Sequence, residues 1–314
     1  MTLPSARTPA HRSPAAALSG TALVIGGGGS TGNAWALGVI AGLADAGFDA
    51  TRADLTVGTS SGATAAAQIT SGSTAADLYA AVLAEARDLG RVRVTGPGKP
   101  ATDQDHARVG AAADRMAATS ALIAAATDAA DMRRRIGAAA LEAAAAHDAT
   151  DRWRAIVAAR LPGVAWPQQR LLITAVDAAT GEPVVLDRDS GVELVDAVAA
   201  STSSGSAYAI GDRWYVDGGY RRNENADLAA GCARVLVLSP FGGRSRHPRE
   251  WRMDLAAQVE ELTAGGSSVV TVVPTDDLTG ARAMDLSLRP AAARSGYAQG
   301  GALAPDLTAR WQWA

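Results

Sequence analysis

The chain has 314 residues, of which 48% are hydrophobic, 19% charged and 4% aromatic, a balance that suits a globular protein with a sizeable core. A formal net charge of −3 excludes the basic character of a nucleic-acid binder, so no nucleic-acid partner is expected. The single cysteine, Cys232, excludes an intramolecular disulfide framework and a cysteine-based zinc site, and beside its apolar run it reads as a buried, inert thiol.

Residues 1–20 carry Pro4, Pro9 and Pro14 among scattered arginines, without a continuous apolar stretch. They are expected to form a disordered tail rather than a signal peptide. No run approaches the roughly 18 apolar residues of a membrane span. The expected setting is the cytoplasm, with export lacking a cleavable signal left open.

Residues 21–25 (TALVI) predict a buried strand that runs into four glycines, Gly26 to Gly29. Residues 33–46 follow with Ala34, Leu37, Ile40, Leu43 and Ala44 at helical spacing and Gly47 as a stop. A second strand at 55–57 leads through GTSSG into a small-residue helix at 63–70. Strand, glycine loop and helix, repeated, open a parallel sheet with helical crossovers. From about 75 to 160 the chain predicts alanine-rich helix, broken once at 95–101. Strands return at 171–176, 184–186, 214–216, 235–238 and 269–273, with helices at 193–200, 251–262 and 290–300. The fold expected is a three-layer α/β/α arrangement. Its central sheet is mainly parallel, and one domain over 21–314 carries the alanine-rich helical insertion.

Three glycine-marked loops carry chemistry. Gly58-Thr59-Ser60-Ser61-Gly62 fits a nucleophile elbow, in which a serine is held on a sharp strand-to-helix turn too crowded for Cβ atoms on either side. A flexible Gly/Ser turn would share the pattern, but the strand before and helix after favour the elbow. Ser60 is the candidate nucleophile, and Ser61, at the variable position, is expected to face away. The loop GGGGSTG at 26–32 exposes amide groups above a strand end, which can cradle a phosphate or an oxyanion. Gly27, Gly29 and Gly32 also satisfy G-x-G-x-x-G, the dinucleotide fingerprint. That reading wants an acidic residue at the end of the next strand, where this chain has Ser60. Asp217-Gly218-Gly219 is either a hairpin turn or a positioned carboxylate.

Taken in this order, the three loops resemble the patatin-like phospholipase family over roughly residues 21–238. The segments AASTSSG at 199–205 and WYVDGG at 214–219 add to the likeness. The resemblance implies an oxyanion hole at Gly27, Gly28 and Gly29, a Ser60 nucleophile and an Asp217 base. Gly32, Gly58, Gly62, Gly218 and Gly219 are then motif glycines. It implies an enzyme that cleaves acyl esters of lipids, a phospholipase A, lipid acyl hydrolase or esterase, with no metal or cofactor. Two departures stand out: Thr31 occupies a place where members commonly carry arginine or lysine, and Ser204 stands near a common proline.

A serine hydroxyl needs a base within about 3 Å to become a good nucleophile. In a dyad Asp217 would take the proton, and partial desolvation would raise its proton affinity. An α/β-hydrolase triad would instead add a histidine after the acid, and only His247 qualifies, in a polar loop that reads as solvated. His11, His106 and His147 suit bland surface positions. A dinucleotide-binding oxidoreductase built on Gly27–Gly32 is the alternative of a different class. Trp311 and Trp313 suit packing back onto the domain or a disordered end better than the transient membrane-surface contact that indoles also favour. Oligomeric state is not legible.

Overall fold

The computed structural model describes residues 18–94 and 116–311. The proline-rich start, His11, the 95–101 break, His106 and Trp313 lie outside them. The strands are β1 (Thr21–Ile25), β2 (Leu55–Gly58), β3 (Arg170–Asp177), β4 (Pro183–Leu186), β5 (Tyr208–Ile210), β6 (Arg213–Asp217), β7 (Arg234–Leu238) and β8 (Ser268–Val272). They form one sheet in the order β5-β6-β3-β2-β1-β7-β8, with β4 added on β3. β2 and β7 flank β1 in parallel, and β2–β3 and β7–β8 are parallel too; β4 and β6 run antiparallel to β3, and β5 antiparallel to β6.

The helices are α1 (Gly29–Asp45), α2 (Ser61–Ile69), α3 (Ala75–Val94), α4 (Ala129–Ala146), α5 (Thr150–Ala158), α6 (Leu194–Ser201), α7 (Leu255–Ala264) and α8 (Arg289–Arg310), and residues 116–124 are helical as well. Side chains alternate along each strand, so the sheet offers two apolar faces. Leu23, Ile25, Ile173, Leu236 and Leu238 pack against α1, α2, α6 and α8. Ala22, Val24, Val57, Leu172 and Val237 face Leu255 and Leu262 of α7. Met132, Ile136 and Ala140 of α4 close the same side over Val176 and Val216. Helices on both faces of a mostly parallel sheet make the expected three-layer α/β/α fold.

Several boundaries differ from expectation for local reasons. The alanine-rich block breaks again at Asp128, whose carboxylate caps α4 at Asp131 N, 2.7 Å. α7 starts at Leu255 rather than near 251 because Asp254 caps it and Arg252 turns the chain at a φ of 51°. β5 has no counterpart in the sequence reading, since three residues are too few to show alternation. α8 runs past Gly300 because packing against α1 outweighs glycine's poor helix propensity. A Cβ at Gly300 would lie 2.1 Å from Val39 O, and one at Gly42 2.0 Å from Tyr297 O, so the two backbones touch.

Cys232 is half-buried rather than buried, and burial pushes its thiol pKa up. Trp311 is buried in the core, with its indole N–H on Ser268 Oγ at 3.1 Å, so it is not presented to a membrane surface. Among the described residues, no helix is long and apolar enough to cross a membrane.

Candidate active site

The register of β3 brings the loops after β2 and β6 together. Ile173 pairs with Gly58 of β2 and Leu186 of β4, while Ala175 pairs with Val184 of β4 and Asp217 of β6. Since β4 fills one edge of β3, β2 and β6 share the other. They run in opposite senses along it and meet head-on at Thr174. Ser60 follows the end of β2 and Asp217 closes β6, so both reach one point from opposite directions. The hairpin turn here is Gly211-Asp212, between β5 and β6, and not Asp217-Gly218.

Ser60 has φ 54° and ψ −127°, a strained conformation for a non-glycine residue. The motif glycines make room for it: a Cβ on Gly62 would lie 2.1 Å from Ile25 O, and one on Gly218 2.3 Å from Thr174 O. The Ser60 hydroxyl donates to Asp217 Oδ2 at 2.7 Å, and Gly219 N–H donates to Oδ1 at 2.8 Å. Asp217 is buried, which pushes its carboxyl pKa up to about 6 although both hydrogen bonds pull it down. Tyr220 lies close enough for the Asp217 charge, after burial, to raise its phenol pKa.

The end of α6 and the turn after it hold both residues by their main chains. Ser60 N–H donates to Ser201 Oγ at 2.9 Å, and Asp217 N–H donates to Ser203 O at 3.0 Å. Neither serine was singled out in the sequence, where AASTSSG reads only as a polar approach to the aspartate.

The glycine loop lies beside Ser60, and a Cβ on Gly27 would approach Ser60 Cβ to 3.2 Å. Its amides are not equivalent. Gly27 N–H donates to Asn223 O at 3.0 Å, which takes it out of the set able to meet an oxyanion. Gly28 N–H donates to Ser61 Oγ at 2.9 Å, so Ser61 faces this loop instead of turning away. Gly29 opens α1 at a φ of 62°, and Gly28 and Gly32 pack under Pro240. Behind the loop, buried Glu224 accepts from Asn223 Nδ2, Ser239 Oγ and Gln258 Nε2, and burial raises its pKa.

Thr31, in place of the commoner cation, is buried and donates to Arg282 O at 3.2 Å. A guanidinium nevertheless reaches this loop from α8, where Arg289 donates to Ser30 O at 2.7 Å and pairs with Glu85. His247 lies apart from this arrangement: its Nδ1 meets Ser245 Oγ at 3.0 Å and its ring stacks on Trp251. It is half-buried rather than solvated, and burial pushes its pKa down to about 4.

The patatin-like phospholipase family model matches residues 23–230. The chain belongs to that family. The match spans all three glycine loops and ends before β7, and it leaves the dinucleotide reading of Gly27–Gly32 without support. The crystal structure of the type III effector protein ExoU is similar at 17% identity and a TM-score of 0.33, covering 89% of this chain and 53% of that one. The chain thus spans about half the length of that protein. No curated protein matches.

Proposed function

We propose that this patatin-like chain is a serine hydrolase that cleaves acyl ester bonds of lipids through a Ser60–Asp217 dyad. The observation that carries the reading is the 2.7 Å hydrogen bond from Ser60 Oγ to a buried carboxylate raised to about 6. A base of that pKa is ionised near neutrality yet retains more proton affinity than an exposed aspartate. Ser60 Oγ attacks the ester carbonyl as its proton passes to Asp217. The tetrahedral oxyanion is held by amides of the glycine loop and by Ser61 N–H at the start of α2. Collapse of that intermediate breaks the bond to the alcohol, which leaves with the proton from Asp217. Asp217 then takes a proton from water, whose oxygen attacks the acyl-Ser60 ester; collapse breaks the acyl bond to Ser60 Oγ, which regains the proton from Asp217 as the fatty acid leaves.

Gly29 suits the oxyanion role better than Gly27 and Gly28, whose amides are spent on Asn223 O and Ser61 Oγ. Head group, acyl length and positional preference are left open by the same geometry. The test is labelling with a fluorophosphonate, followed by mass spectrometry of the Ser60 peptide. Wild type is expected to carry the adduct on Ser60, Ser60→Ala to carry none, and Asp217→Asn to label at least about a hundredfold more slowly. Undiminished labelling of Ser60→Ala would remove Ser60 as nucleophile.

A further inference from the structure

Where β2 and β6 meet head-on, no backbone ladder joins them, and something else must fix the gap between their ends. The gap holds a buried polar knot. Thr174 Oγ1 donates to Thr59 Oγ1 at 3.0 Å. Asn225 Nδ2 lies 2.9 Å from Thr59 Oγ1, 3.1 Å from Thr174 Oγ1, 3.2 Å from Gly218 O and 2.7 Å from Arg222 O. Thr59 directly precedes Ser60 and Gly218 directly follows Asp217, so one amide group ties the neighbours of both reacting residues. Asn225 is fully buried and sits at φ 55°, ψ 35°, a left-handed conformation that asparagine tolerates better than most residues. Its Oδ1 accepts from Arg221 at 2.6 Å, which fixes which end of the amide faces the knot.

We infer that Asn225 is a positioning residue that sets the separation of Ser60 and Asp217 by riveting the end of β2 to the start of the loop after β6. The inference rests on the dyad reading above. Its amide touches neither reacting atom and acts through Thr59, Thr174 and Gly218. A buried amide whose two N–H groups and carbonyl oxygen are all engaged resists displacement, because any shift leaves a donor or its acceptor unpaired. Catalysis is sensitive to such shifts, since a misplacement of about 1 Å costs on the order of a hundredfold.

The test uses the full chain with p-nitrophenyl butyrate and the fluorophosphonate probe. Asn225→Ala is expected to lower kcat by roughly 10- to 100-fold with KM little changed. It should also move the acid limb of kcat/KM to higher pH, because loss of the Ser60 hydrogen bond removes one influence that holds the Asp217 pKa down. Thr174→Val should act in the same direction and Thr174→Ser should restore wild-type behaviour, a pair that decides the matter if Asn225→Ala fails to fold. Folded Asn225→Ala with wild-type kcat and an unmoved acid limb would overturn the inference, as would equal activity of Thr174→Val and Thr174→Ser. If wild type labels at Ser60 in those cases, the dyad reading survives. A wild type that neither labels nor hydrolyses would overturn both.

Discussion

At the residue scale, Asp217 combines two demands that oppose each other. As the proposed base it must be deprotonated, yet burial disfavours its charged form and raises its pKa from 3.8 to about 6. Ester hydrolysis is therefore expected to hold level above about pH 6 and to fall about tenfold per unit below it, read as kcat/KM against pH. The same shift acts on stability. Between about pH 4 and 6 the folded chain keeps a proton that the unfolded chain has released, so this group's contribution is full at low pH and lost as pH rises through 6. A shift of about two units corresponds to about 3 kcal/mol, so Asp217→Asn should be more stable than wild type at pH 7 and no more stable at pH 4. Urea unfolding at the two pH values checks this, and equal stabilisation at both would refute the linkage. The proposed reacting residues stand out in the sequence because Gly58 and Gly62 flank Ser60 and Gly218-Gly219 follow Asp217. Ser201, Ser203 and Asn225 do not, since serine and asparagine are ordinary loop residues until the fold buries them.

At the element scale, β1, β2, β3 and β7 were readable because each is a short, mostly apolar run rich in β-branched residues and leucine. The head-on meeting of β2 and β6 was not. It depends on β6 reversing direction through a hairpin with β5, whose three residues leave no pattern. The α1–α8 contact was hidden for a similar reason: Gly38, Gly42, Gly296 and Gly300 look like helix breakers in isolation. In the fold, a Cβ at each would come within 2.2 Å of a carbonyl oxygen on the facing helix. Since α1 also carries the glycine loop at its N-terminus, this contact supports the site from behind. Gly42→Val should lower the melting temperature by several degrees, consistent with an overpacking cost of about 1–3 kcal/mol or more. Gly163→Ala is the control, having only Ser71 Cβ within 4 Å, at 3.9 Å. Equal melting temperatures for the two variants would show that the helices can part without cost.

At the scale of the whole molecule, the family match ends at residue 230, yet β7 pairs along the full length of β1, and α8 lies on α1. The part beyond the match also supplies Pro240 against the glycine loop and Arg289 beside Ser30. The candidate site is thus assembled from distant parts of the chain, with the proposed reactive pair inside the matched region and its supports partly outside. The proposed dyad needs no histidine, and the His247 ring is engaged by Ser245 and Trp251. The most direct measurement is hydrolysis of a short acyl ester by folded Ser60→Ala, Asp217→Asn and His247→Ala variants side by side. The account predicts that the first two lose about a thousandfold or more in kcat, while His247→Ala stays within about threefold of wild type. Loss of hydrolysis in a folded His247→Ala, or its survival in Ser60→Ala, would contradict a Ser60–Asp217 dyad.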